Sequence, residues 1–287
     1  MSAPLPALPD RELLSQLSRE AAAREFVQPP LVEKDFYLTR FLWALGEALG
    51  EEALLKGGTL LSKVDLGFFR MSEDVDLVLP GRPARTKGSN MQRINVVRDA
   101  LKRVAPHVGM TIPFPGGTTT ENGTHAVWEL EYESEFAPGR VRVEATIRPT
   151  LERPRIVSLK QLISDEQLGD YTAATCWALD EPEARAEKVR AACTREAIRD
   201  FYDLDRLLDA GKDLTSTTFL TLVDAKLAEL KSSPLSELRP KPFGLTALRR
   251  KKLDESLKLE LAAVLRTNAP AFDLDKMLAR FELRWTR

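Results

Sequence analysis

Two aspartates separated by one residue carry the first chemical possibility in this chain. In Asp74-Val75-Asp76-Leu77-Val78-Leu79 the alternation of acid and aliphatic predicts a strand, stopped by Pro80-Gly81. Side chains two apart on a strand share a face, so Asp74 and Asp76 project together while Val75 and Leu77 turn to the core. Carboxylates this close repel unless a cation lies between them. A divalent ion suits them: Mg2+ (or Mn2+) takes oxygen ligands and keeps positions for substrate phosphates. An isolated Asp-x-Asp equally describes a solvated edge strand. Upstream, Lys56-Gly57-Gly58-Thr59 falls between a short apolar run and a helical pattern. Backbone N–H groups bare of side chains can cradle phosphate oxygens there, although paired glycines also make ordinary tight turns. Glu144 alternates with Val143 and Ala145, on the side of Arg142 and Thr146. If its strand neighbours the aspartate strand, Glu144 completes a three-carboxylate metal site. Glu129, Glu131, Glu133 and Glu135 read as a solvated face instead.

These residues need elements to position them. Helical spacing predicts helices over 9–26 and 31–50, then a strand, a glycine turn and a helix through 53–64. Residues 82–90 read as a basic polar loop and 91–106 as another helix. Val127 to Ile147 alternates on both sides of Ala137-Pro138-Gly139, the pattern of a β-hairpin. Pro149 and Pro154 bracket an expected boundary, giving one domain over 1–154 and a second over 155–287. The second is helical in pattern over 158–168, 180–210, 216–231, 245–267 and 273–285.

A second charged group lies in 187–204. On one ideal helix, Lys188, Arg195, Arg199 and Asp203 fall within about 80° of each other, with Asp200 beside them. An ordinary i,i+4 surface pair between Arg199 and Asp203 would account for part of that pattern.

Taken together, Lys56-Gly57-Gly58-Thr59, Arg70-Met71-Ser72-Glu73-Asp74-Val75-Asp76-Leu77 and Glu187-Lys188…Arg199-Asp200-Phe201-Tyr202-Asp203 resemble the AbiEii nucleotidyltransferase toxin family, in that family's order. That family belongs to the DNA polymerase β-like nucleotidyltransferases. The resemblance implies an α+β fold: a polymerase β-like core, a mixed sheet with flanking helices, followed by a mainly helical C-terminal lobe that lends Lys188 and Asp200 or Asp203 to the cleft. It implies a metal-dependent toxin that transfers NMP from a nucleoside triphosphate to RNA, foremost tRNA 3′ ends, and blocks translation. A cognate antitoxin is the implied partner. Asp74, Asp76, Lys188, Asp200 and Asp203 would be catalytic, and Asp74, Asp76 and Glu144 would hold metal. Lys56, Gly57, Gly58, Thr59, Ser72 and Lys188 would bind the nucleotide. Transfer to a protein hydroxyl or a small molecule is the alternative, and a non-catalytic nucleotide-binding partner a further one.

Composition bounds these readings. The 287 residues are 43% hydrophobic and 30% charged, ordinary globular material. Lys plus Arg total 42 against 43 Asp plus Glu, a net charge of −1, which read alone argues against a polyanion binder. The total hides a segregation. Residues 231–287 carry 13 Lys/Arg against 7 Asp/Glu, or +6, leaving −7 for 1–230. An RNA contact is therefore expected locally, at Arg239, Lys241, Arg249, Arg250, Lys251 and Lys252. No stretch approaches the roughly 20 apolar residues of a membrane span, and no basic leader precedes an apolar core. A cytoplasmic monomer is expected. Cys176 and Cys193 match no zinc spacing, His107 and His125 fall in no ligand pattern, and the four tryptophans are dispersed.

Overall fold

Asp10 starts the first helix, its carboxylate accepting a hydrogen bond of 2.8 Å from the Leu13 amide. That helix, α1 (Arg11–Glu25), is followed by α2 (Pro29–Leu49), which opens on proline, where no helical donor is lost. The computed structural model describes residues 7–168, 174–230, 233–238 and 242–285. The chain divides into two units, Met1–Leu179 and Asp180–Arg287.

In the first unit a mixed sheet is built from β1 (Leu54–Lys56), β2 (Asp74–Pro80), β3 (Met110–Thr111), β4 (Thr118–Thr119), β5 (His125–Tyr132), β6 (Gly139–Arg148), β7 (Arg155–Ser158) and β8 (Thr175–Ala178). Its order is β3-β5-β6-β2-β1-β8-β7, with β4 against β5. The pairs β2–β6 and β1–β8 are parallel, and β5–β6 is the expected antiparallel hairpin. Between β1 and β2 lie the one-turn helix α3 (Gly57–Leu60) and a π-helical turn, Leu61–Asp65. After β2 comes α4 (Lys87–His107), and after β7 the short α5 (Asp165–Leu168). The period-2 pattern decides the faces. Val75, Leu77, Trp128, Leu130, Val141, Val143 and Ala145 are buried with Phe36, Phe41 and Leu42 of α2 and Ile94 and Leu101 of α4. Asp74, Asp76, Glu129, Arg142 and Glu144 take the alternate positions.

The second unit is helical: α6 (Glu181–Thr194), α7 (Ile198–Asp209), α8 (Thr217–Ala228), α9 (Leu235–Leu238), α10 (Ala247–Ser256) and α11 (Leu274–Trp285). Ile198, Phe201, Leu204, Val223, Leu227, Phe243 and Phe281 are buried in its core, where Phe243 stacks edge-on with Phe201 and Phe281.

The architecture is the expected α+β core with a helical C-terminal unit, although α4 begins at Lys87, inside the loop expected over 82–90, and three further details differ. The units divide at Leu179 rather than Pro154, because β7 and β8 extend the sheet through the pairing of Leu55 with Ala178. The stretch 158–168 is therefore no continuous helix. The helix expected over 180–210 is two helices, interrupted at Arg195, whose backbone is extended (φ −134°, ψ 170°). Among the described residues, no helix is long and apolar enough to cross a membrane.

Candidate functional site

Register places the first group of residues. Lys56 pairs with Asp76 across β1 and β2, and Asp76 pairs with Glu144 across β2 and β6. The Lys56 ammonium lies 3.7 Å from the Asp76 carboxylate. Immediately after Lys56 the chain turns through Gly57, with φ +74°, so closely that a Cβ there would meet Asp76 Oδ2 at 2.2 Å. A Cβ on Gly58 would meet Arg70 Nη2 at 2.4 Å and Ser72 Oγ at 3.2 Å. The glycines let the turn backbone sit against the aspartate strand. Thr59 fastens the two segments. Its hydroxyl is buried, 2.8 Å from Ser72 Oγ and within bonding reach of the Asp74 carbonyl.

Other residues brace this turn. Arg70, 3% exposed, donates to the Met71 carbonyl at 2.9 Å with its guanidinium against Gly58. Lys34 of α2 pairs with Glu73 at 3.0 Å. The π-helical turn behind α3 is anchored by a buried ion pair, Lys63 with Asp35. Burial pushes the Asp35 carboxyl up and the Lys63 ammonium down, and their mutual attraction opposes both shifts. Asp35 also accepts the Leu162 amide at 3.0 Å, and Lys63 donates to the Lys160 carbonyl at 3.0 Å. Arg70 and Asp35 were not picked out by sequence. Arg70 could have been, since it opens the run that ends on Asp76.

The strand adjacency required of Glu144 is present, yet its carboxylate lies 2.9 Å from the Arg142 guanidinium and 3.8 Å from His125 Nε2. His125 also contacts Thr146 at 2.9 Å, and burial holds its imidazole below the usual range. Among the described residues no group of three or more His, Cys, Asp or Glu is spaced to hold a metal ion. Asp74 and Asp76 do fit one in the manner of a substrate-bound Mg2+, which takes one or two protein carboxylates and completes its shell with phosphates and water.

In the second unit Lys188, Asp200 and Asp203 meet across the corner between α6 and α7, not along one helix face as the sequence suggested. The cause is the break at Arg195, which puts Lys188 on α6 and both aspartates on α7. Lys188 Nζ lies 2.8 Å from Asp200 and 2.7 Å from Asp203, all three buried. Arg195 forks onto Asp200 at 2.5 and 2.8 Å. Burial alone would raise the Asp200 carboxyl; Lys188 and Arg195 overcome it and hold the group well below the usual carboxylate range. Arg199 is outside this cluster.

The basic tail is largely engaged with its own unit. Arg249 donates to the carbonyls of Ala192 (2.8 Å), Arg195 (2.9 Å) and Phe243 (2.9 Å). Arg250 forks onto Asp275 at 2.6 and 2.9 Å, and Lys252 pairs with Glu196 at 2.7 Å. Lys251 reaches Glu255 at 4.0 Å and is otherwise exposed. Arg239 and Lys241 lie outside the described residues.

Residues 40–282 match the family model of the nucleotidyl transferase AbiEii toxin of type IV toxin–antitoxin systems. Among solved structures, the chain is similar in fold to the nucleotidyltransferase toxin MenT4 of Mycobacterium tuberculosis. The TM-score is 0.60 at 19% identity, over 97% of this chain and 89% of that one. JHP933 of Helicobacter pylori is also similar, with a TM-score of 0.50 at 13% identity over 88% of this chain and 89% of that one. No protein of curated function matches at the sequence level.

Proposed function

The chain belongs to the AbiEii nucleotidyltransferase toxin family, and from that premise we propose that it transfers a nucleoside monophosphate from an NTP to an RNA acceptor, foremost a tRNA 3′ end. Membership implies a cognate antitoxin. The observation that carries the reading is the packing of bare Gly57 and Gly58 backbone against Asp76 and Arg70, beside two aspartates on one strand face. That arrangement offers a triphosphate N–H donors and cations next to carboxylates suited to a divalent ion. Asp74 and Asp76 would hold the ion, which when bound supplies Lewis-acid charge to the phosphoryl oxygens. Gly57, Gly58 and Thr59 cradle the β- and γ-phosphates, and Lys56, Arg70 and Ser72 flank them. Lys188, kept in place by Asp200 and Asp203, is assigned to phosphate neutralisation. In the transfer, the acceptor hydroxyl gives up its proton to solvent water as its oxygen bonds to the α-phosphorus, the α–β bridging P–O bond breaks, and pyrophosphate leaves.

The test incubates the protein with each α-labelled NTP, Mg2+ or Mn2+, and bulk tRNA. Label is expected in RNA, with chelator abolishing it. Asp74→Asn and Asp76→Asn should each lower the rate at least about 100-fold, some 2.7 kcal/mol of barrier. Label in protein or in a small molecule would replace the RNA acceptor. No transfer to any acceptor would leave a nucleotide-binding partner.

A further inference from the structure

We infer that the acceptor's phosphate backbone docks on the loop after β2 and the first two turns of α4, residues 82–93, rather than on the basic C-terminal tail. The inference rests on the RNA-acceptor reading above. Between Leu77 and Arg98 the chain carries Arg82, Arg85, Lys87, Arg93 and Arg98 and no acid. Arg82, Arg85 and Lys87 are exposed, and among the described residues none of the three has a carboxylate partner. The tail differs in kind. Arg250 and Lys252 already have carboxylates of their own, and Arg249 is committed to backbone carbonyls. A cation already paired must give up its partner before it displaces counterions from RNA, so its net gain is small.

The loop is held, not slack. Asn90 is buried and bonds both the Ala84 amide (2.7 Å) and the Ala84 carbonyl (3.1 Å), as well as the Asn122 carbonyl (3.0 Å). Arg93 donates to the carbonyls of Leu79 (3.3 Å), Pro80 (2.5 Å) and Arg82 (3.2 Å). Thr86 caps α4 by accepting the Ser89 amide. A backbone so pinned presents three outward cations with little ordering left to lose on binding. Residues 82–89 include no aromatic or large aliphatic side chain, only Pro83, Ala84, Thr86, Gly88 and Ser89 between the cations. A protein partner would want an apolar anchor there; a phosphate backbone does not. Position fits as well. Four strand steps lead from Asp76 to Pro80, about 13 Å, so a strand of RNA ending at the aspartates can run along the loop.

The experiment measures Kd for fluorescent bulk tRNA from 50 to 300 mM KCl. It compares Arg82→Glu/Arg85→Glu/Lys87→Glu, the same three changed to Gln, and Lys251→Glu/Lys252→Glu. The Glu loop variant should lose at least about 30-fold in affinity at 100 mM salt, and the slope of log K against log salt should shrink by about 2–3. The Gln variant should fall between it and the parent, and all should keep the parental melting temperature. An unchanged slope in the loop variants, or a loss confined to the Lys251/Lys252 variant, overturns the inference. So does loss of antitoxin binding with tRNA binding intact. Failure of the RNA reading shows separately, as unlabelled RNA in the parent protein's transfer assay; RNA labelled by the parent and equally well by the loop variants defeats this inference alone.

Discussion

At the scale of single residues, Gly57 and Gly58 make different demands and should respond differently to one methyl group. Gly57→Ala meets both a left-handed backbone, worth about 1–2 kcal/mol for an L residue, and the Asp76 carboxylate at 2.2 Å. Moving that carboxylate is expected to lower transfer at least about tenfold while melting falls by only a few degrees. Gly58→Ala meets only Arg70 and Ser72 side chains. Its cost should therefore track Arg70: in an Arg70→Ala background, Gly58→Ala should have little further effect on the rate, whereas Gly57→Ala should keep its full effect. Steady-state kinetics of the three single and two double variants decides, and additive losses for Gly58 and Arg70 would break the linkage. The glycines and aspartates could be singled out by residue type and spacing alone. Arg70 stands in the same run as the aspartates, but Asp35 could not be found, because a buried aspartate looks like any surface charge until its partner is known, and its partners lie 28 and 127 residues away.

At the scale of elements, the sequence indicated helix over 180–210 but gave no sign of the corner within it. No proline or glycine occurs between Cys193 and Ile198, so periodicity carried straight through. The break is enforced by tertiary contacts. Arg195 turns its guanidinium back to Asp200 while Arg249 gathers the carbonyls of Ala192 and Arg195. Arg249 is thus a positioning residue for the Lys188 group. Arg249→Ala leaves carbonyl acceptors without that donor, a loss of about 1–3 kcal/mol each where they are buried. The expected result is a kcat lowered about tenfold, with the KM for tRNA and the salt slope of binding little changed. Arg249→Lys should not rescue, since one ammonium cannot reproduce a planar fork. A raised KM with a shallower salt slope would instead make Arg249 an RNA contact. The strands were the more legible elements, because a half-buried sheet states its faces with period 2. The placing of β7 and β8 was not legible: each has four residues, too few to show a period, and β8 joins the sheet by pairing Ala178 with Leu55, 123 residues earlier.

For the whole molecule, buried ionisable groups set the pH range over which the fold holds. Cys176 and Cys193 are both pushed up to about 12 by burial. In the unfolded chain a thiol ionises near 8.5, so their contribution is complete below that value and is lost as pH rises toward 12. Asp200 acts at the other limb. Its folded carboxyl is held below the unfolded value near 3.9. The stability it confers is present above about pH 4 and declines as pH falls from there toward the folded value. Asp200→Asn removes one partner of a buried cluster and leaves Lys188 and Arg195 short of a counter-charge, a loss of about 3–5 kcal/mol. Melting at pH 7 should drop by roughly 6–15 °C. The gap between variant and parent should then narrow below pH 4, because the parent loses on protonation what the variant has already lost. A gap of constant size from pH 7 to pH 3 would mean that Asp200 acts through packing or hydrogen bonding rather than through its charge, and the depressed carboxyl would then have no part in holding Lys188.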